Sequence, residues 1–196
     1  LIEKTEEFNE YISDLLWSQK FALLNREEMM DRILTELSYQ IYQEGGHEKE
    51  IEQERINCHH NFTQKEYHRN INVWITRKGA IQMSSGQLGV IPGSMGTNSY
   101  IVEGLGNLMS WYSAPHGAGR KFSRTEARRR FTMADMEREM QGVEFKHSAE
   151  FIDEIPSAYK SINKVMENSK GVLCINRVFP QPARAENFPP QRLQVQ

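Results

Sequence analysis

Val90-Ile91-Pro92-Gly93-Ser94-Met95-Gly96-Thr97-Asn98-Ser99-Tyr100-Ile101-Val102 is the stretch on which the fold class turns. An apolar, β-branched run enters a loop of glycines, small hydroxyls and an amide, and a second such run leaves it. β-Branched and aromatic residues suit a pleated, half-buried surface, so both flanks read as strands. A phosphate loop of the Gly-Lys-Ser/Thr type would have to open a helix. This stretch holds no such tripeptide, and no clear helical pattern follows it. It reads as strand–loop–strand: either a lining for a nucleotide, built from backbone N–H groups and hydroxyls, or a plain turn. Helical and strand patterns alternate along the chain without βαβ regularity. The expected class is therefore α+β.

Downstream lies His116-Gly117-Ala118-Gly119-Arg120. Glycines let a backbone approach a ligand closely, and successive N–H groups in such a turn can cradle a phosphate. The imidazole can act as a nucleophile, an acid or base, or a metal ligand. Ser123 is placed to cap the next helix. Arg120, Lys121, Arg124, Arg128, Arg129 and Arg130 follow closely, and on one helix Arg120, Arg124 and Arg128 would share a face. That makes this run the candidate polyanion patch, against the plainer reading of a solvated helix face. The helix is expected to continue through Met133–Met140, and a further helix spans Ser157–Asn168.

Upstream, Asn57-Cys58-His59-His60-Asn61, with His68 further on, is dense in metal-ligand types. Its spacing is not that of a zinc finger. On an extended segment His59 and His60 point to opposite faces, so at most one enters a given site. Residues 70–83 read as strand, with Arg77 and Lys78 as solvated charges beside Gly79. The N-terminal part reads as two helices, one over residues 3–24 and one capped by Asn25 with Glu28, packed as an antiparallel pair. Met29, Met30, Ile33, Leu34, Leu37 and Ile41 are the expected buried stripe of the second, which Gly45-Gly46 would stop.

The chain has 196 residues and a formal charge of −2, which excludes a globally basic nucleic-acid coat. Cys58 and Cys174 are too few for a disulfide scaffold, and no apolar run is long enough to span a bilayer. A cytoplasmic protein is expected. The chain begins at Leu1 inside a helical pattern and reads as a protein entered partway.

Taken in order, Asn57-Cys-His-His-Asn61, Thr76-Arg-Lys-Gly79, Pro92-Gly-Ser-Met-Gly-Thr97 with Ser99-Tyr100, His116-Gly-Ala-Gly-Arg120 with Ser123-Arg124, and Asp153-Glu-Ile-Pro-Ser-Ala-Tyr-Lys160 resemble one family. The chain is similar, from about Leu1 to Lys170, to the C-terminal half of the RtcB RNA-splicing ligases. The resemblance implies helices packed on mixed β-sheets, part of a domain of the fold specific to this family, and a GTP- and manganese-dependent RNA ligase. Such an enzyme joins 2′,3′-cyclic-phosphate or 3′-phosphate ends, as in tRNA halves or broken RNA, to 5′-hydroxyl ends. It implies His116 as the nucleophile that takes GMP, and His60 as a manganese ligand with Asn61 touching the nucleotide. Pro92, Gly93, Ser94, Met95 and Ser99, with His116, Gly117, Ala118 and Gly119, would line the guanylate pocket. Arg120 and Arg124 would hold phosphates of the nucleotide or the RNA.

Other parts of the family pattern, an Asp-x-x-Cys metal motif and a Gly-Asn-His segment, are not in this sequence, and Cys58 does not match the family's metal-binding cysteine. The expectation is thus a fragment comprising residues 1–170, followed by a divergent, disordered tail over 171–196. Such a fragment would not ligate RNA alone. The competing expectation is a non-catalytic nucleotide- or RNA-binding module. A third, a metal phosphohydrolase built on Cys58, His59, His60 and His68, leaves the His116 loop without a purpose.

Overall fold

The structure, a computed structural model, describes residues 1–180. The architecture is α+β. One long helix, α1 (Glu6–Tyr42), precedes a short α2 (Glu48–Ile51) and a hairpin of β1 (Asn61–His68) and β2 (Ile71–Lys78). The strands β3 (Ala80–Gln82), β4 (Leu88–Ile91), β5 (Ser99–Gly104) and β6 (Ser113–Pro115) follow. After them come α3 (Arg124–Arg130), α4 (Met133–Glu139), α5 (Ile162–Asn168) and β7 (Leu173–Phe179). Among the described residues the strands form antiparallel sheets β1–β2, β3–β6 and β4–β5–β7.

The N-terminal part is one helix, not an antiparallel pair. The Thr5 side chain accepts the Phe8 N–H at 3.3 Å, and Glu6 and Glu7 sit at the positive end of the helix dipole. No glycine or proline interrupts residues 6–42, and Asn25 costs a helix interior only a fraction of a kcal/mol, so nothing local ends it there. At about 1.5 Å per residue α1 is about 55 Å long. Within α1 only Leu34 and Ser38 are buried. Met29, Met30, Ile33, Leu37 and Ile41, the rest of the expected stripe, are exposed. The end is made by Gln43 in a left-handed conformation, just before Gly45-Gly46. There Ser38 Oγ donates to Glu44 O and accepts the His47 N–H.

The β1–β2 hairpin turns through Arg69 and Asn70, both at positive φ, as a two-residue turn that matches the strand twist requires. The segment read as a ligand-rich stretch thus continues directly into a strand. Arg77 is not a solvated charge: it is 3% exposed. It pairs with Glu66 across the hairpin and lies over the Phe62 ring.

Val90–Val102 folds as strand–loop–strand, with Val90 opposite Ile101. β7 pairs with β5, so residues 173–179, expected to belong to a divergent tail, complete this sheet. The expected disorder beyond residue 180 lies outside the described residues. Met133–Met140 does not continue α3: Phe131 is extended, and Thr132 with Asp135 forms a capping box that opens α4. Similarly, Ser161 caps α5, and residues 156–158 are only a 3-10 turn.

Among the described residues, buried apolar side chains gather in two clusters. The first joins the sheets to α5 through Ile81, Ile91, Val102 and Ile162. The second packs α3 and α4 onto Ile155 and Ala158. Tyr159 touches both.

Candidate active site around His116

The β3–β6 ladder sets Ala80 opposite Pro115, so the residues just outside it, Gly79 and His116, lie side by side. The His116 N–H donates to Gly79 O at 3.4 Å, and the Gly79 N–H donates to His60 O at 3.1 Å and to Asn61 Oδ1 at 3.0 Å. Gly79 thus ties the two histidine segments together. It has φ +69°, and a Cβ there would stand 3.2 Å from His116 Nε2.

His60 faces His116, with Nδ1 to Nδ1 at 3.4 Å and ring centroids 5.4 Å apart at 74°. Cys58 Sγ lies 3.5 Å from His60 Nε2. His59 turns away, as alternation requires, to Arg26 and the Phe62 ring. Burial holds the His60 imidazole below its ordinary pKa, and the charges of His116, Arg26 and His59 act in the same direction. His59 is lowered by burial and then by Arg26. A neutral His60 can accept the Nδ1–H of His116. In that tautomer His116 Nε2, on the Gly79 side, carries the lone pair.

The Pro92 loop completes the wall. A Cβ on Gly117 would stand 3.1 Å from Pro92 O, so the two glycine-containing loops are in backbone contact. Ser94 N–H donates to Thr97 Oγ1 at 2.7 Å and Thr97 N–H to Ser94 O at 3.1 Å, closing a tight turn. Gly93 lies against Thr97 and Asn98. Ser99 begins β5. A cleft of about 400 Å³ opens beside His60 and Pro92, walled on its other side by Arg26, Met30 and Ile33 of α1.

The structure therefore brings His60, Asn61, Pro92, His116 and Gly117 together. Met95 turns its side chain to the second apolar cluster, and Ala118 is buried in the first. Gly119 has φ +71°, and its carbonyl accepts the Lys160 N–H at 2.9 Å, pinning the far end of the loop.

Arg120 lies outside α3, so the expected three-arginine helix face does not form. Its guanidinium donates to Tyr159 Oη at 2.9 Å, to Phe122 O at 3.0 Å and to Asp153 O, and covers the Tyr159 ring. Arg124 reaches Asp153 at 2.9 Å and Glu154 at 2.6 Å, and Arg128 reaches Asp153 at 2.8 Å. Asp153 is buried. That burial would raise its carboxyl pKa, but Arg124 and Arg128 outweigh it and hold the group below the usual range. Much of the cation-rich run is thus an arginine–carboxylate network, with Arg124 and Arg128 keeping their outer faces in solvent.

Arg26, Arg77 and Gly79 build the site without a sequence signal that marks them for it. Arg26 Nε donates to Asn57 Oδ1 at 2.6 Å, which fastens α1 to the His60 segment. In the sequence it is one more charge on a charged helix.

A manganese ion does not fit these residues by themselves. Among the described residues no three His, Cys, Asp or Glu side chains converge in a way that could hold a metal. No helix among them is long and apolar enough to cross a membrane.

Residues 1–180 match the family model described as tRNA-splicing ligase RtcB. The chain is 47% identical over 165 residues to the RNA-splicing ligase RtcB of Escherichia coli K12, covering 84% of this chain and 40% of that one. It is 42% identical over 95 residues to a tRNA-splicing ligase RtcB of Aeropyrum pernix, covering 46% and 20%. With that of Methanocaldococcus jannaschii it shares 30% identity over 188 residues, covering 84% and 19%. The chain thus spans about 40% of the length of the Escherichia coli relative.

Proposed function

The chain belongs to the RtcB family of tRNA-splicing ligases, and from that premise we propose that it is the nucleophile-bearing portion of a GTP- and manganese-dependent RNA ligase. The observation that carries this reading is the His60–His116 pair, held by Gly79 beside the Pro92 loop. His116 is the proposed nucleophile. Its Nε2 lone pair attacks the α-phosphorus of GTP, an N–P bond forms, and pyrophosphate leaves. The Nδ1 proton is held toward His60. GMP then passes to an RNA 3′-phosphate, and a 5′-hydroxyl displaces it to form the phosphodiester. A covalent intermediate splits one hard step into easier ones.

The chain's own contribution is to orient the imidazole and to line the nucleotide. The candidate lining is His60, Asn61, Pro92, Gly93, Ser94, Ser99 and the backbone of residues 117–119. Arg120 and Arg124 are the proposed phosphate holders. Arg124 is 68% exposed and keeps donors toward solvent, whereas Arg120 would have to share its guanidinium with Tyr159 and Asp153. A metal would draw charge from the phosphates, but this chain's described residues offer too few donors, so it enters no step here. That shortage favours a second reading for the isolated chain, a nucleotide- or RNA-binding module without ligation.

The test is guanylylation. The chain is incubated with manganese and α-labelled GTP, denatured, and examined for bound label. Label that survives denaturation and is lost in His116→Ala supports the histidine–guanylate. Label that persists in His116→Ala overturns it. GTP binding without covalent label supports the binding-module reading.

A further inference from the structure

We propose that Arg77 is a positioning residue for His116: its buried guanidinium sets the strand that carries the imidazole. The inference deepens the reading of His116 as the guanylate acceptor and rests on it.

The side chains of Arg77, Glu66 and His68 are 2%, 8% and 1% exposed. Arg77 Nη1 and Nη2 grip the two Glu66 carboxylate oxygens, the second at 3.1 Å. Such a fork fixes direction as well as distance. The same guanidinium reaches past the hairpin. Its Nη2 donates to Trp111 O at 2.8 Å and its Nε to Ser113 Oγ at 2.9 Å. Ser113 Oγ in turn donates to Trp111 O at 3.0 Å. Trp111 and Ser113 lie five and three residues before His116. One side chain therefore bridges β1, β2 and the entry to the His116 loop.

That entry needs an anchor. Trp111 and Tyr112 have φ of +55° and +50°, a conformation that bulky side chains rarely hold without outside support. β6 and its partner β3 have three residues each, so the ladder offers few hydrogen bonds of its own. The backbone of the turn is tied by Tyr112 N–H to Asn107 O at 3.0 Å and by Met83 N–H to Tyr112 O at 2.6 Å. Side chains add to this: Arg77 through Trp111 O, Arg69 over the Trp111 ring, and His68, whose ring packs on Trp111 at 5.0 Å and on Tyr112 at 4.8 Å. His68 is itself held by Glu66 Oε2 at 2.7 Å.

Arg77 is also close in sequence to the residue that joins the two histidines. It stands two residues before Gly79, which touches His60, Asn61 and His116. The two sides of the His60–His116 pair thus meet at one residue. A lysine carries the charge but is a point donor on a flexible stem and cannot hold Glu66, Trp111 O and Ser113 Oγ together.

The test uses the whole chain, with Arg77→Lys and Ser113→Ala, and amide hydrogen exchange as the first readout. In Arg77→Lys the amides of Trp111–Ala114 and of His116 should exchange about tenfold faster, while those of Ala127 and Met140, bonded to Ser123 O and Met136 O in the second apolar cluster, keep their protection. Unchanged protection at Trp111–His116 overturns the proposal. If Arg77→Lys loses protection at Ala127 and Met140 as well, Ser113→Ala decides. It removes the bond from Arg77 Nε to Ser113 Oγ and that from Ser113 Oγ to Trp111 O, leaves the Glu66 pair, and should accelerate exchange in the same segment alone. No acceleration there overturns the proposal. The second readout is the guanylylation rate. Arg77→Lys should lower the rate at saturating GTP about tenfold with little change in the half-saturating concentration. A raised half-saturating concentration with an unchanged maximal rate overturns positioning. A wild-type chain that takes no label fails the His116 reading, while exchange still decides the role of Arg77.

Discussion

Gly79 and His116 are in backbone contact, and the absence of a side chain on Gly79 leaves the Nε2 edge of the imidazole open. That edge is the one that would attack phosphorus in the proposed reaction. Gly79→Ala places a methyl group 3.2 Å from Nε2. It also puts alanine at positive φ, at a cost of about 1 kcal/mol. Acylation of His116 by diethyl pyrocarbonate, followed by mass spectrometry, should slow by about tenfold. An unchanged rate would show that the open edge does not matter.

Asp153 makes the arginine network non-additive. Loss of either Arg124 or Arg128 leaves the other to pair with its buried carboxylate. Both arginines are more than half exposed, so each single alanine variant should cost no more than about 1 kcal/mol. The double variant leaves a buried, unpaired charge and should cost about 3 kcal/mol or more. Urea unfolding of the four members of the cycle measures the difference, and simple additivity would refute the pairing.

Asp135 closes the capping box of α4 and has its carboxyl pKa lowered to about 2. The hydrogen bonds from the Thr132 hydroxyl and backbone lead, and Arg138 adds to them. A carboxyl depressed in the folded state contributes stability that is fully present above its unfolded pKa, about 3.9, and lost as pH falls through about 2. Carboxyl-carbon NMR titration should give a midpoint near 2. In Asp135→Asn this part of the acid sensitivity should disappear. A midpoint near 4 would mean that the box does not form in solution.

Asn25 tests the continuity of α1. Proline inside a continuous helix costs about 3 kcal/mol, whereas at an N-cap or loop position it is tolerated. Asn25→Pro should lower helicity by circular dichroism and destabilise the chain by about that amount. A silent substitution would restore the two-helix arrangement.

Features governed by neighbouring residues were legible in the sequence. The strands flanking the Pro92 loop follow from their β-branched runs, and Ser123 caps α3 because its hydroxyl needs only the Glu126 N–H three residues on. The alternation that separates His59 from His60 is likewise local. Helix boundaries were less legible where two signals competed. At residue 25 a capping pattern lost to uninterrupted helix formers, and at Thr132 a capping box divided what composition presented as one helix. The Arg69-Asn70 turn escaped notice because it lacks the glycine that usually announces such a hairpin.

By itself, then, the sequence determined the α+β class, the order of motifs that marks the RtcB family, and the presence of a histidine in a glycine-rich loop. Only the tertiary structure decided that His60 meets His116 across 56 positions of chain, that Arg77 is buried beneath the strand leading to His116, and that Asp153 gathers arginines which the sequence presented as a polyanion patch. The physical reason is that each of these depends on strand pairing or packing between distant segments. Local propensity encodes what a residue does to its neighbours in the chain, and burial is set by which remote surface arrives to cover it.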